Sequence, residues 1–214
     1  MPTIYSIYTI LLRRYGTQTW WPADTELEIT VGAILTQNTS WTNVEKALDC
    51  LKDADCLSCD AILTLKHDEL AALIKSSGYY NVKAKRLKNY CFWYAQQNDL
   101  AARLTDNLRD DLLSINGVGP ETADDILLYA FQRPVFVIDA YTRRLFSRLD
   151  LIAEQESYEG LRALFEKKLE KRKNKVKLFN EYHALIVNHA RHICRARNPV
   201  CVDCCLRLQC NYNQ

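Results

Sequence analysis

The chain has 214 residues, 48% hydrophobic and 25% charged, with a net charge of +2. That length suits one large domain or two small ones, and the apolar content allows a sizeable core. No run of 18 or more apolar residues occurs, and the N-terminus lacks a charged segment followed by an apolar one. This argues against a membrane span and against a secretory signal.

Six glycines, five prolines and little strand-like alternation predict a mostly α-helical protein. Helical spacing is clearest over residues 69–95 and 158–173. Near the N-terminus, Trp20, Trp21, Pro22 and Trp41 offer four hydrophobic platforms, suited either to a core or to stacking on a ligand. Trp93 and most of the twelve tyrosines read as core.

From Leu112 the chain runs through an apolar helix into Gly117-Val118-Gly119, followed by Pro120 and a second helix. The two glycines permit positive φ and close backbone approach. Proline fits the first helical position. Amides of such a turn face outward at a helix N-terminus, which is an anion site. The pattern is a helix-hairpin-helix, about residues 108–131, which grips a phosphate without reading sequence; an ordinary αα-hairpin is the plainer reading.

Asp139 lies twenty residues past Gly119, after the apolar run 135–138 and before a helix predicted over 140–149. An aspartate there caps the helix, whose dipole keeps it ionised. The same carboxylate could stabilise an oxocarbenium-like transition state or activate water. The two roles are compatible.

Charge is uneven. Residues 1–132 hold 12 Lys and Arg against 17 Asp and Glu, whereas residues 133–214 hold 16 against 9. A basic C-terminal half suits a polyanion such as nucleic acid. A solvated lysine-rich helix face at 167–177 fits the same residues.

The chain ends on a cysteine cluster. Of nine cysteines, Cys194, Cys201, Cys204 and Cys210 read C-x6-C-x2-C-x5-C. Zinc and a [4Fe–4S] cluster both accept four thiolates. Only one CxxC knuckle lies within these four, and the wider spacing favours the bulkier cluster. Cys205 is the spare, although spacing alone allows it to exchange with Cys204. Arg195 and Arg197 lie between the first two cysteines, where a metal-stiffened loop would press them against a phosphate backbone.

The hairpin at 113–131, Asp139 and the cysteine loop together resemble the endonuclease III family of DNA glycosylases. LTQNT at 35–39 and GYYNVKAKRL at 78–87 look like that family's DNA-facing loops. The resemblance runs from about residue 20 to Cys210. It implies an all-α, two-domain fold. A six-helix domain would span residues 25–133. A second domain would join residues 1–24 to 134–214, carrying Asp139 at the cleft between the domains and a [4Fe–4S] loop at 194–210.

It further implies that the damaged nucleotide flips out of the duplex. Asn38, or alternatively Gln37, would fill the gap, and Tyr79 after Gly78 would press on the opposite strand. Gly117, Val118 and Gly119 would hold a phosphate.

Family members that also cut the backbone carry a lysine two residues after the second glycine, where this chain has Glu121. A carboxylate cannot form an imine. The resemblance therefore implies a monofunctional glycosylase, with Asp139 assisting water. Trp20, Trp21, Pro22, Trp41 and Glu121 resemble the base pocket of the 3-methyladenine DNA glycosylase branch. Aromatic faces attract a cationic alkylated purine by on the order of 2 kcal/mol when desolvated. A mismatch glycosylase releasing thymine, uracil or adenine, and a non-catalytic DNA-binding iron–sulfur module, are the alternatives. The expected setting is damaged double-stranded DNA, bound by a cytoplasmic monomer with no membrane association.

Overall fold

A computed structural model describes residues 2–212, and no strand occurs among them. The chain forms two compact units. One is contiguous, Ala23–Arg133; the other joins the residues up to Pro22 to those from Pro134 onward.

The contiguous unit carries α2 (Glu26–Leu35), α3 (Trp41–Asp53), α4 (Cys59–Thr64), α5 (His67–Leu73), α6 (Tyr80–Tyr94), α7 (Thr105–Ser114) and α8 (Pro120–Asp125). These are seven α-helices among the described residues, where the family resemblance implies six. Extended backbone at Leu65 and Lys66 (ψ 141° and 155°) separates α4 from α5.

Local chemistry sets several starts. Thr25 accepts from the Glu28 amide and Ser58 from the Ala61 amide, each satisfying an orphan helix donor. Pro120 occupies the first turn of α8. Beyond Asp125 the helix continues as a π turn over Ile126–Ala130, closed by the Phe131 amide on the Ile126 carbonyl at 3.0 Å. Val31, Ile34, Leu35, Leu87, Leu112, Ile126 and Leu127 are among the fully buried side chains of this unit.

The stretch of helical spacing over 69–95 is interrupted where the sequence resembles a DNA-facing loop. A 3-10 turn at Lys75–Ser77 leads into Gly78 at φ 68° and Tyr79 at φ 47°. Glycine reaches that region freely, and an aromatic residue only against a steric penalty.

The discontinuous unit carries α1 (Ile4–Tyr15), α9 (Ala140–Arg148), α10 (Tyr158–Leu169) and α11 (Lys175–His192). Helical spacing over 158–173 fits α10 as far as Leu169. Residues 170–174 then turn, with Asn174 at φ 51°, so 167–177 is no single helix face. Helix α1 opens on a capping box from Thr3 and Ser6 and packs on α10 and α11. The core here is aromatic. Phe136 and Phe165 lie 4.6 Å apart by ring centroid, and Phe146 meets Phe165 edge-on at 4.8 Å. Each such buried ring contributes about 1.5–3 kcal/mol by desolvation, with pair geometry adding about 0.5–1.5 kcal/mol.

Candidate active site

In the contiguous unit, α7 ends at Ser114, residues 115–119 turn, and α8 begins at Pro120. Gly117 sits at φ 101°, as its residue type allows. Gly119 differs from the sequence expectation. It adopts φ −93° and ψ 177°, ordinary extended backbone at the N-cap of α8. A Cβ on Gly117 would collide with the Arg86 side chain, whereas one on Gly119 would meet nothing within 4 Å. Nothing inside the protein therefore requires glycine at 119. Val118 is buried and Glu121 is exposed in the first turn of α8.

Two sets of bonds hold the hairpin. Arg109 on α7 grips Asp124 on α8 through Nε to Oδ1 at 2.7 Å and Nη2 to Oδ2 at 3.2 Å, with both residues buried. Gln37 donates its amide to the Gly117 carbonyl at 3.1 Å and to Thr122 Oγ1 at 2.9 Å, while its carbonyl accepts from Arg86. These bonds commit the Gln37 amide to the hairpin. The next residue, Asn38, is exposed at φ 54°. Tyr79 is likewise exposed (72%), directly after half-buried Gly78.

In the discontinuous unit Asp139 is the N-cap of α9 and accepts from the Thr142 amide at 2.6 Å. Its other oxygen lies 3.3 Å from His183 Nε2 on α11. Burial alone would raise the Asp139 pKa. Hydrogen bonding and charge from His183, with the Thr142 contacts, outweigh burial and hold the carboxyl below its ordinary value of 3.8. The helix N-terminus adds a favourable dipole. The result is a desolvated carboxylate that stays ionised at neutral pH.

Cys194, Cys201, Cys204 and Cys210 line one small apolar cavity with Leu145, Leu149 and Ile193, and Cys205 is not among its lining residues. Burial pushes the Cys204 thiol up to about 11 and raises Cys210. Such thiols become thiolates only when a cation compensates. Among the described residues no three His, Cys, Asp or Glu side chains converge closely enough for a single metal ion. Four thiols lining one apolar cavity are a donor set that either zinc or an iron–sulfur centre accepts.

Arg144 Nε donates to the Cys194 carbonyl at 2.8 Å and Arg148 Nη1 to the Arg195 carbonyl at 2.8 Å, tying this loop to α9. Arg195 and Arg197 are exposed. Trp20 and Trp21 are half-buried in this unit with their rings edge-on at 5.9 Å, and Pro22 is exposed. Trp41 belongs to the contiguous unit, and its indole donates to Glu45 at 2.9 Å.

Residues 31–171 match the HhH-GPD superfamily of base excision DNA repair proteins. The chain belongs to that family. A Methanocaldococcus jannaschii protein provisionally named a DNA repair glycosylase is 50% identical to this HhH-GPD chain, over 97% of this chain and 95% of its own. An endonuclease III of Sulfolobus acidocaldarius is 32% identical, over 69% and 66%. Among solved structures, the Helicobacter pylori 3-methyladenine DNA glycosylase bound to 1,N6-ethenoadenine aligns with a TM-score of 0.75 and 30% identity, covering 86% of this chain and 95% of its own. An endonuclease III–DNA complex aligns at TM-score 0.82 over 99% and 97%; at 22% identity this likeness shows the helix-hairpin-helix fold.

Neither His183 nor the Arg109–Asp124 pair of this HhH-GPD chain carries a local signal in the sequence. Nor do Lys83 and Arg86 as structural donors. All five sit on helices whose local pattern is ordinary, so only tertiary contact reveals them.

Proposed function

We propose that this chain is a monofunctional DNA glycosylase of base excision repair that removes alkylated purines such as 3-methyladenine from damaged duplex DNA. The observation that carries this reading is the pairing of two features. A buried, ionised Asp139 is oriented by Thr142 and His183. Glu121 stands in the first turn of α8, where an amine would be needed for imine chemistry.

In this reading the hairpin holds a phosphate through the outward amides around Gly119. Asn38 is the wedge, because Gln37 is committed to the hairpin, and Tyr79 presses on the opposite strand. Water adds to C1′ while the C1′–N bond breaks and its electron pair leaves with the base. Asp139 stabilises the oxocarbenium-like sugar and draws off the water proton, leaving an abasic site. A cationic purine departs neutral, so selective binding of it lowers the remaining barrier; the residues proposed for that role are Trp20, Trp21 and Pro22 of the discontinuous unit and Trp41 and Glu121 of the contiguous one. The similarity to a structure bound to an ethenoadenine supports a purine pocket.

The four cysteines that line one cavity would hold a [4Fe–4S] cluster. Its contribution when bound is architectural, stiffening the loop that presents Arg195 and Arg197 to phosphates.

The test is release of free base from methylated duplex DNA. Wild type is expected to release 3-methyladenine. Asp139→Asn is expected to bind the same DNA yet lose about 10²–10⁴-fold in release. Release of thymine from T:G duplexes, but of no alkylated base, would favour a mismatch enzyme. No release from any lesion would favour a binding module. A covalent adduct after borohydride treatment would overturn the monofunctional assignment.

A further inference from the structure

One face of α6 reaches three separate loops. Lys83, Arg86 and Asn89 are spaced at three-residue intervals and so share a helix face. Lys83, 1% exposed, donates from Nζ to the Leu35 carbonyl at 2.8 Å and to the Ser77 carbonyl at 2.6 Å. Leu35 ends α2 just before Gln37-Asn38, and Ser77 directly precedes Gly78-Tyr79. Arg86 lies against Gly117 and donates to Gln37 Oε1, and Gln37 in turn donates to Gly117 and Thr122. Asn89 Nδ2 donates to the Asn116 carbonyl at 2.9 Å.

Burying an ammonium is costly, and two backbone carbonyls compensate it only partly. Burial pushes the Lys83 amine down to about 8, with the Arg86 charge adding to the shift. A methionine of similar length would fill this space without that cost. What only the amine provides is a simultaneous link to two chain segments.

We propose that Lys83, Arg86 and Asn89 form a positioning spine that fixes the register of the Asn38 tip, the Tyr79 tip and the Gly117–Gly119 hairpin. When the hairpin grips a phosphate, both tips then stand at a set distance along the duplex. The proposal rests on the reading of these loops as DNA-contacting. It makes α6 a determinant of base eversion, although none of the three residues touches the base.

The experiment uses the full chain and two duplexes. One is undamaged; the other carries a tetrahydrofuran abasic analogue beside 2-aminopurine, whose fluorescence rises when it unstacks. For Lys83→Met and Arg86→Leu, affinity for the undamaged duplex is expected within about threefold of wild type. The 2-aminopurine signal at saturation should be largely lost, and kcat for base release should fall up to about 10²-fold with KM little changed. Arg86→Lys, which keeps one donor, should recover part of the signal.

Wild-type-like unstacking in folded Lys83→Met or Arg86→Leu would overturn the proposal, as would failure of wild type to unstack the probe. If Lys83→Met does not fold, the Arg86 pair decides. The fluorescence readout does not depend on which base is excised. Unstacking by wild type and not by the variants would therefore support the spine even if alkylated bases were not released.

Discussion

Gly117 and Gly119 share a residue type but answer to different demands. Gly117 occupies positive φ and lies under Arg86, whereas Gly119 adopts backbone open to any residue and faces empty space. Gly117→Ala should cost about 1–2 kcal/mol in folding from backbone conformation alone, more if Arg86 cannot shift. Gly119→Ala should leave stability within about 0.5 kcal/mol but weaken duplex affinity roughly tenfold by holding the phosphate away. Thermal unfolding and a DNA titration of both variants separate the two demands.

Asp139 makes a pH prediction of definite sign. Its folded pKa lies below 3.8, so the carboxylate persists above that value and is neutralised only as pH falls through the lowered folded value. The acid limb of base release that this group sets should therefore lie below that of an ordinary aspartate. His183→Gln removes the principal lowering interaction, so the acid limb should move to higher pH; a kcat profile of both proteins checks this. The stability that Asp139 contributes follows the same direction, full above the unfolded value and lost as pH drops. The sequence made Asp139 legible because N-capping is a local pattern. His183 was not legible, because it meets Asp139 only through the packing of α11 on α9.

At the scale of elements, the hairpin is held by a bidentate ion pair of which one member is fully buried and the other nearly so. Breaking one partner of such a pair is strongly destabilising, because the other charge remains desolvated. Arg109→Leu should therefore lower stability by about 3–5 kcal/mol, read by denaturant unfolding. The double variant Arg109→Leu/Asp124→Leu should recover much of that loss.

Helix class was legible from periodicity, but periodicity does not mark the break at Gly78 and Tyr79. Through 69–95 the 3-10 turn at Lys75–Ser77 keeps side chains near helical spacing, so the apolar pattern continues across Gly78 and Tyr79. Gly78 and the resemblance of 78–87 to a DNA-facing loop, not periodicity, signalled the turn that exposes Tyr79. Lys83 was hidden for a related reason. In sequence it is one of several lysines in a basic stretch, and burial among backbone carbonyls has no periodic signature.

For the molecule as a whole, the cysteine loop makes a compositional prediction. Wild type should carry about four iron and four sulfide per chain. Cys204→Ser should lose them and Cys205→Ser should retain them, as metal and sulfide analysis would show. Equal retention in both variants would mean that Cys204 and Cys205 exchange roles.

The discontinuous unit has a consequence for the order in which the protein takes shape. Its helix α1 buries Ile4, Ile7 and Leu11 and packs on α10 and α11, which follow the contiguous unit in the chain. Residues 23–133 leave the ribosome as a complete unit, free to fold at once. Helix α1 precedes them and meets its partners only once α10 and then α11 have been made. Until then its apolar stripe stays exposed. A chain cut near residue 133 should keep residues 23–133 folded while leaving the apolar face of α1 exposed.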